Sequence, residues 1–402
     1  MDRTQVAIIG AGPAGLLLAH LLHRAGIETV VLEAKSREYL ETSPHRIRAG
    51  VLEWGTKEIL VGAGLGERLL REGFEHRGIY IAFEGKLHRV DFPELADGWR
   101  IWVYGQQYEV RDMIATHLRA GGEILFEAEA VGLEDVEERP EVVYRLPDGR
   151  LRRLAAEFVV GADGSHSTAR ASIRGVQIHE RVYPFGWLGI LAETEPAAEE
   201  LIYVSHPRGF ALFSMRSPTL ARNYLQVQPD EDPAAWPEDR IWTELERRLD
   251  GLRPLKPGRL LEKSITPHRS LVVEPMQYGR LFLVGDAAHV VPPTGAKGMN
   301  LAVADVMVLC QGLLQYYRER DETGLAQYTD RCLRHVWQGE FFSYWMTTLL
   351  HRSSNPFEER LRVAYLRHVL ESPHLLRFLA ENYVGRHTSG RYVEYARKDT
   401  AV

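Results

Sequence analysis

The stretch Gln5–Glu33, QVAIIGAGPAGLLLAHLLHRAGIETVVLE, sets the expected architecture. Gln5 to Ile9 reads as a buried strand, Pro13 to Ala25 as a helix and Glu28 to Glu33 as a second strand. Pro13 falls in the first turn of the helix, where a missing N–H does no harm. Between strand and helix, Gly10, Gly12 and Gly15 carry the spacing G-x-G-x-x-G. The first glycine permits the tight turn, the second lets backbone approach a pyrophosphate, and the third lets helix and strand pack closely. The helix N-terminus then offers unpaired N–H groups and the positive end of its dipole to the phosphates. Ala14 stands where a serine is often seen, at the loss of at most one hydrogen bond. Glu33, 18 residues beyond Gly15, ends the second strand where an acid accepts from ribose hydroxyls. The unit is a dinucleotide-binding fold, and the spacing does not distinguish FAD from NAD. A second glycine cluster, Gly62 to Gly66, lacks the strand before it and the acid after it. It is expected to end a helix, so a nicotinamide would have no domain of its own.

The whole chain fits that picture. Its 402 residues are 45% hydrophobic and 26% charged, as in a soluble globular protein of two or three domains. A formal charge of −6 argues against a general nucleic-acid binder and leaves small anionic ligands open. Cys310 and Cys332 lie in helical-looking stretches without metal-ligand spacing, so neither a disulfide scaffold nor a metal site is expected, and a reducing cytoplasm fits. The apolar run from Val6 is interrupted by Gly10, Gly12 and Pro13, so no signal peptide is expected. No uninterrupted apolar run reaches about 18 residues, so no membrane span is expected.

Two further stretches carry chemistry. In GRLFLVGDAAHVVPPTGAKGMNLAVADVMVLCQGLL (Gly279 to Leu314), Leu281 to Val284 reads as a short buried strand. Asp286 at its end can bind a polyol hydroxyl. Pro292 to Gly295 is expected to be a rigid, non-helical loop, and a long helix is expected from near Gly298 to about Arg318. Met299 and Asn300 at its N-terminus can face a group that becomes negative, such as the pyrimidine end of a reduced flavin, with a stabilisation of roughly 0.3–2 kcal/mol from the helix dipole. In GFALFSMR (Gly209 to Arg216), strand alternation places Leu212, Ser214 and Arg216 on one face. Tyr203 in ELIYVS and Arg222, Tyr224 and Gln226 in ARNYLQVQ alternate likewise. Either this is a solvated outer face, or the strands pair into a pocket that grips a small aromatic acid by its carboxylate.

GDAAHVVPPTGAKGMN (Gly285 to Asn300) resembles the flavin-ribose motif of single-component flavin-dependent aromatic hydroxylases, and GADGSHSTAR (Gly161 to Arg170) resembles their Asp-Gly motif. With the N-terminal fingerprint these are three motifs in family order. RIRAGVLE (Arg46 to Glu53), ERVYPFGWLGILAET (Glu180 to Thr194), ELIYVSHPRGFAL (Glu200 to Leu212), VVEPMQYGRLFLVGDAAH (Val272 to His289) and AENYVG (Ala380 to Gly385) extend the likeness from residue 4 to about 385.

The resemblance implies FAD held by Gly10, Gly12, Ala14, Gly15 and Glu33. It adds Arg46, Ile47, Arg48, Ala49, Gly50 and Val51, then Gln106, Asp163, Asp286, Met299 and Asn300. It implies NADPH, NADH or both as co-substrate, with Lys35, Tyr39, Arg46, His166 and Arg269 on the nicotinamide side. Lys35 and Arg37 would favour a 2′-phosphate, while Glu38 and Glu41 would repel one. The implied substrate is 4-hydroxybenzoate, contacted by Tyr203, Ser214, Arg216, Tyr224, Pro293 and Thr294. The implied reaction uses dioxygen, through a flavin hydroperoxide, to give 3,4-dihydroxybenzoate in the breakdown of aromatic compounds. A proton relay would run from Tyr203 through Tyr383 to a surface-side His76, and the Pro293 carbonyl would lie over the reacting ring. Other readings are a hydroxylase of 3-hydroxybenzoate or protocatechuate, a flavin dehydrogenase, or a flavin-binding regulator without enzyme activity.

The expected fold is mixed α/β. A Rossmann-like FAD domain with a parallel sheet comprises 1–75, 105–178 and 269–345. An antiparallel substrate sheet comprises 76–104 and 179–268, and a helical segment, 346–402, closes the pocket and joins a homodimer. Pro229 to Arg240 is expected to be an exposed acidic loop, and the tail from Arg386 resembles nothing in the family.

Overall fold

The computed structural model describes residues 2–43 and 50–393; Arg46, Ile47, Arg48 and Ala49 of the expected cofactor site lie outside the described residues. The fingerprint folds as read. Strand Asp2–Ile9 leads into helix Pro13–Arg24 and strand Thr29–Glu33. The helix buries Leu16, Leu17, Leu18 and Leu22 completely, each stabilising the fold by roughly 1.5–3 kcal/mol. A Cβ added at Gly15 would stand 2.1 Å from the Gly10 carbonyl oxygen, so only glycine lets the helix sit this close to the turn. Five strands lie parallel in the order Leu281–Leu283, Leu151–Gly161, Asp2–Ile9, Thr29–Glu33, Glu123–Phe126.

A second eight-stranded sheet is mostly antiparallel, with strands Gln177–Glu193, Leu220–Val227, Gly209–Ser217 and Ile202–His206 as successive neighbours. Strand Gly209–Ser217 is buried on both faces, which explains why it lacks the polar alternation of a half-exposed strand. Phe213, Ile202 and Val204 pack on helix Glu238–Leu249 through Ile241 and Leu245. Tyr203, Phe210 and Leu212 face Phe342, Met346, Leu379 and Tyr383 of the C-terminal helices.

Strands Gln177–Glu193 and Arg259–Glu274 form the longest pair, and Arg259–Glu274 also pairs with His289–Val290 of the flavin-motif loop. The boundaries expected at 178/179 and 268/269 fall inside these strands, so the two sheets are joined by continuous backbone. Pro293–Gly295 makes a single 3-10 turn, which corrects the expectation of a non-helical loop. Prolines at the start of such a turn need no N–H. Helix Gly298–Glu319 is long and apolar enough to cross a membrane, but most of it is buried against the fingerprint helix and helix Tyr328–Leu350, as a core helix. Helix Trp54–Gly62 ends at the second glycine cluster, with Gly64 at φ +79°. The Pro229–Arg240 segment is largely exposed, apart from the buried ring of Trp236.

Candidate active site

Cross-strand register builds the pocket. Tyr203 stands opposite Leu212, Leu212 opposite Tyr224, and Ser214 opposite Arg222. Side chains in register share a face, so Tyr203, Leu212 and Tyr224 form one row. A register shift between Met215 and Ser217 puts Arg216 at a bulge, a feature that re-aims a side chain. Arg216 is 8% exposed, which removes the solvated-face reading. Its Nη1 donates to Ser214 Oγ at 3.1 Å and to the Met215 carbonyl at 2.7 Å, and its Nη2 donates to the Tyr224 hydroxyl at 3.5 Å. Among the described residues its Nε is buried without a partner. An orphaned donor beside a half-used one leaves the guanidinium edge that binds carboxylates bidentately open to a ligand. Ser214 spends its hydroxyl proton on the Arg222 carbonyl at 2.7 Å, so it orients Arg216 rather than serving as a free donor. Arg222 is itself tied to Glu262.

At the other end of the row the Tyr203 and Tyr383 hydroxyls lie 2.5 Å apart, both rings wholly buried, and Tyr203 donates to the Thr294 carbonyl at 3.3 Å. Burial pushes both phenols above the usual tyrosine range. Thr294 is fully buried and its hydroxyl has no partner among the described residues; Pro293 begins the same 3-10 turn. His76 corrects an expectation. It is 1% exposed, not surface-side, and both ring nitrogens lack partners among the described residues. Burial, together with the nearby charge of Arg216, lowers its pKa to about 4. Strand Phe74–His76 is an edge of a three-stranded sheet in which Glu75 is exposed and His76 turns inward, a placement that sequence periodicity cannot reveal over three residues.

The residues expected to hold the cofactor follow the C-terminal ends of the parallel strands at Ile9, Glu33, Gly161 and Leu283, where open α/β sheets bind ligands. At Gly12 an added Cβ would meet nothing within 4 Å, and no side chain caps the helix there. That open, N–H-lined ledge is what a pyrophosphate requires. Glu33 accepts from the Ala11 N–H at 2.7 Å and from the Lys35 N–H at 2.8 Å, which fixes its carboxylate at the strand end. Gly285 abuts Ala14 and Ala302, bringing the exposed Asp286 beside the fingerprint helix. Gly50 lies so close to Tyr104 that a Cβ would overlap its carbonyl. Asn300 clamps Val51 and Glu53 to the long helix: its Nδ2 donates to the Val51 carbonyl at 3.0 Å and its Oδ1 accepts from the Glu53 N–H at 3.0 Å. Gln106 starts its helix and donates to the Met299 sulfur at 3.8 Å. These residues fit FAD. Asp163 is turned inward instead, its carboxylate accepting from Ser167 and the N–H groups of Thr168 and Ala169. On the nicotinamide side, Lys35 lies over the Tyr39 ring, His166 is exposed, and Arg269 contacts the Ser165 carbonyl and Glu180.

Sequence reasoning missed a buried ion pair between Lys297 and Glu53, both at most 1% exposed on the side chain. The signal was present: each is a lone charge in a run of small and apolar residues, within GAKGMN and AGVLE. It also missed Arg170, which bridges the Ser165 and Ala287 carbonyls and so ties the Asp-Gly turn to the flavin loop.

Comparison with known proteins matches a family described as FAD binding domain over residues 3–343. The chain is 44% identical to p-hydroxybenzoate hydroxylase of Acinetobacter baylyi, over 95% of both chains. It is 27% identical to a 3-(3-hydroxy-phenyl)propionate/3-hydroxycinnamic acid hydroxylase of Burkholderia cenocepacia, over 76% of this chain and 56% of that one. Its fold superimposes on p-nitrophenol 4-monooxygenase of Pseudomonas putida with a TM-score of 0.81, at 22% identity, covering 96% of this chain and 100% of the other.

Proposed function

Since this chain belongs to the FAD-binding-domain family and is a flavin-dependent hydroxylase, we propose that its substrate is 4-hydroxybenzoate, hydroxylated at the 3-position to 3,4-dihydroxybenzoate. The observation that carries this reading is the buried Arg216 with its unpartnered Nε. A benzoate carboxylate would take that edge, with Tyr224 beside it and Leu212 against the ring. The substrate hydroxyl would then point along the row to Tyr203.

FAD, when bound, supplies electron transfer from NAD(P)H and the activation of dioxygen. One oxygen atom enters the ring and the other leaves as water. The protein's part is to make the ring carbon nucleophilic, and a phenolate serves far better than a phenol. Ionising a phenol of pKa about 10 at pH 7 costs roughly 4 kcal/mol. Tyr203 donates to the incipient phenolate and so lowers that cost, while Tyr383 passes the proton onward. His76, neutral at pH 7, is an acceptor on that route. Pro293 and the enclosing C-terminal helices exclude water. The residues named for FAD and nicotinamide, the division into FAD domain, substrate sheet and helical segment, and a cytoplasmic setting belong to the same reading.

The test is substrate-stimulated NADPH and NADH oxidation with a panel of hydroxybenzoates, with product identification. In Arg216→Leu, 4-hydroxybenzoate affinity should fall at least about a hundredfold with FAD retained. Unchanged affinity would place the carboxylate elsewhere.

A homodimer is part of this proposal. Trp337, Phe341 and Tyr344 recur at helical spacing on helix Tyr328–Leu350 and are 37–54% exposed. An aromatic stripe of this kind suits a partner surface. Sedimentation should give twice the chain mass, and Phe341→Glu should give monomer.

A further inference from the structure

One buried network outside the substrate pocket has no part in the chemistry above. Asp305, in the middle of helix Gly298–Glu319, is fully buried. Its Oδ2 accepts from the Gly285 N–H at 3.0 Å and lies 2.6 Å from His289 Nε2. Its Oδ1 lies 2.8 Å from His335 Nε2, and the other nitrogen of that ring lies 3.0 Å from the Tyr392 hydroxyl. The two imidazoles hold the carboxyl down at about 2, and Asp305 raises His289 in return. Cys332 sits within the same cluster, its thiol pushed up by burial. Asp305 and His335 are already engaged with each other, so the cluster is a hydrogen-bonded relay rather than an open ligand set.

The relay connects two places far apart in sequence. At one end is the 285–290 loop, where Gly285 holds φ +61° and Asp286 stands ready for the cofactor. At the other is the C-terminal turn Ser389–Tyr392. The same turn is anchored a second time. Thr388 Oγ1, Ser389 Oγ and the Ser389 N–H all donate to Glu53 Oε2, whose other oxygen holds Lys297 at the start of the long helix. Both ends of the 285–297 segment are thus tied, through buried charged groups, to residues 388–392. An apolar turn would fill this space without burying a carboxylate at each anchor.

We propose that the C-terminal turn is a component of the FAD site, and that Tyr392 is a positioning residue that fixes the 285–290 loop through His335 and Asp305. The inference rests on the FAD reading of that loop and adds residues 388–392, which lie beyond the family match over 3–343. Tyr392→Phe removes one oxygen atom and leaves the ring in place. It should raise the dissociation constant for FAD about tenfold, as loss of one hydrogen bond to a charged network does. It should also alter the visible circular dichroism of the bound flavin. His335→Leu should do the same or more. His335→Gln, which keeps a donor toward Asp305, should restore most of the affinity and the spectrum. The 4-hydroxybenzoate concentration at half saturation should stay as in the wild type.

The measurement is FAD titration of apoprotein by flavin fluorescence, with melting temperatures of each apoprotein recorded alongside. Wild-type affinity and an unchanged flavin spectrum in both Tyr392→Phe and His335→Leu would overturn the inference. So would a His335→Gln protein no better than His335→Leu. Wild-type protein that takes up no FAD in the first titration would instead overturn the FAD assignment itself.

Discussion

At the residue scale, one guanidinium explains most of the pocket. Arg216 is buried without a carboxylate of its own, and the desolvation it suffers lowers its pKa. Such a group is stable only if the protein holds it from one side and a ligand completes it from the other. Ser214, Met215 and Tyr224 do the first. Its charge also reaches His76, which gives a spectroscopic handle on the ligand. In the free protein His76 should titrate at about 4. A bound benzoate neutralises Arg216, so the His76 pKa should rise on binding. Nitrogen-15 histidine spectra collected with and without 4-hydroxybenzoate check this; an unmoved or lowered pKa would mean the anion binds away from Arg216. The identity of these side chains was legible in the strand alternation. The burial of His76, and the use of the Ser214 hydroxyl by the backbone of Arg222, were not, because both depend on what the neighbouring sheet presents.

At the scale of elements, the fingerprint turn separates folding from binding within six residues. Gly10 and Gly15 are glycines for packing: a Cβ at either would strike backbone, at 2.4 Å and 2.1 Å. Gly12 has open space and an ordinary extended backbone, φ −78° and ψ 177°. Gly15→Ala should therefore destabilise the protein by about 1–3 kcal/mol, as overpacking does. Gly12→Ala should leave stability within about 0.5 kcal/mol and weaken FAD binding at least about tenfold. Paired melts and FAD titrations separate the two; a Gly12→Ala protein with normal FAD affinity would mean that the pyrophosphate lies elsewhere. This unit was readable from spacing because each glycine answers a local demand. The substrate sheet was readable only as isolated strands. Register between strands is set by which side chains can be buried together, and strand Gly209–Ser217 at the pocket is buried on both faces.

At the scale of the whole molecule, two sets of buried titratable groups set opposing pH dependences. His76, His117 and His268 are each held at about 4 by burial. Their neutral forms fit the fold, while the unfolded chain takes up protons below about 6.5. The stability they contribute is present above that pH and is lost as pH falls from about 6.5 to 4. Glu109 and Glu340 are raised, to about 8 and about 7, also by burial. The fold holds them protonated, so stability is lost as pH rises from the ordinary carboxylate range through those values. Between about pH 4.5 and 6.5 these three histidines outweigh the two glutamates; above it the glutamates act, and His289, raised by Asp305, acts in the same direction. Melting temperature should peak near pH 6.5 and fall both ways, with Glu109→Gln flattening the alkaline limb and steepening the acid limb. A profile that rises steadily to pH 8 would contradict this balance. The dinucleotide fold, the three motifs and the kinds of residue at the pocket followed from sequence alone, because short-range spacing, backbone freedom and side-chain chemistry are local properties. Tertiary structure decided which charges are buried, which hydrogen bonds the protein has already used, and that residues 388–392 return to lock the flavin loop. Those are properties of contact between segments up to some 335 positions apart, and desolvation acts on a side chain only once such segments have closed over it.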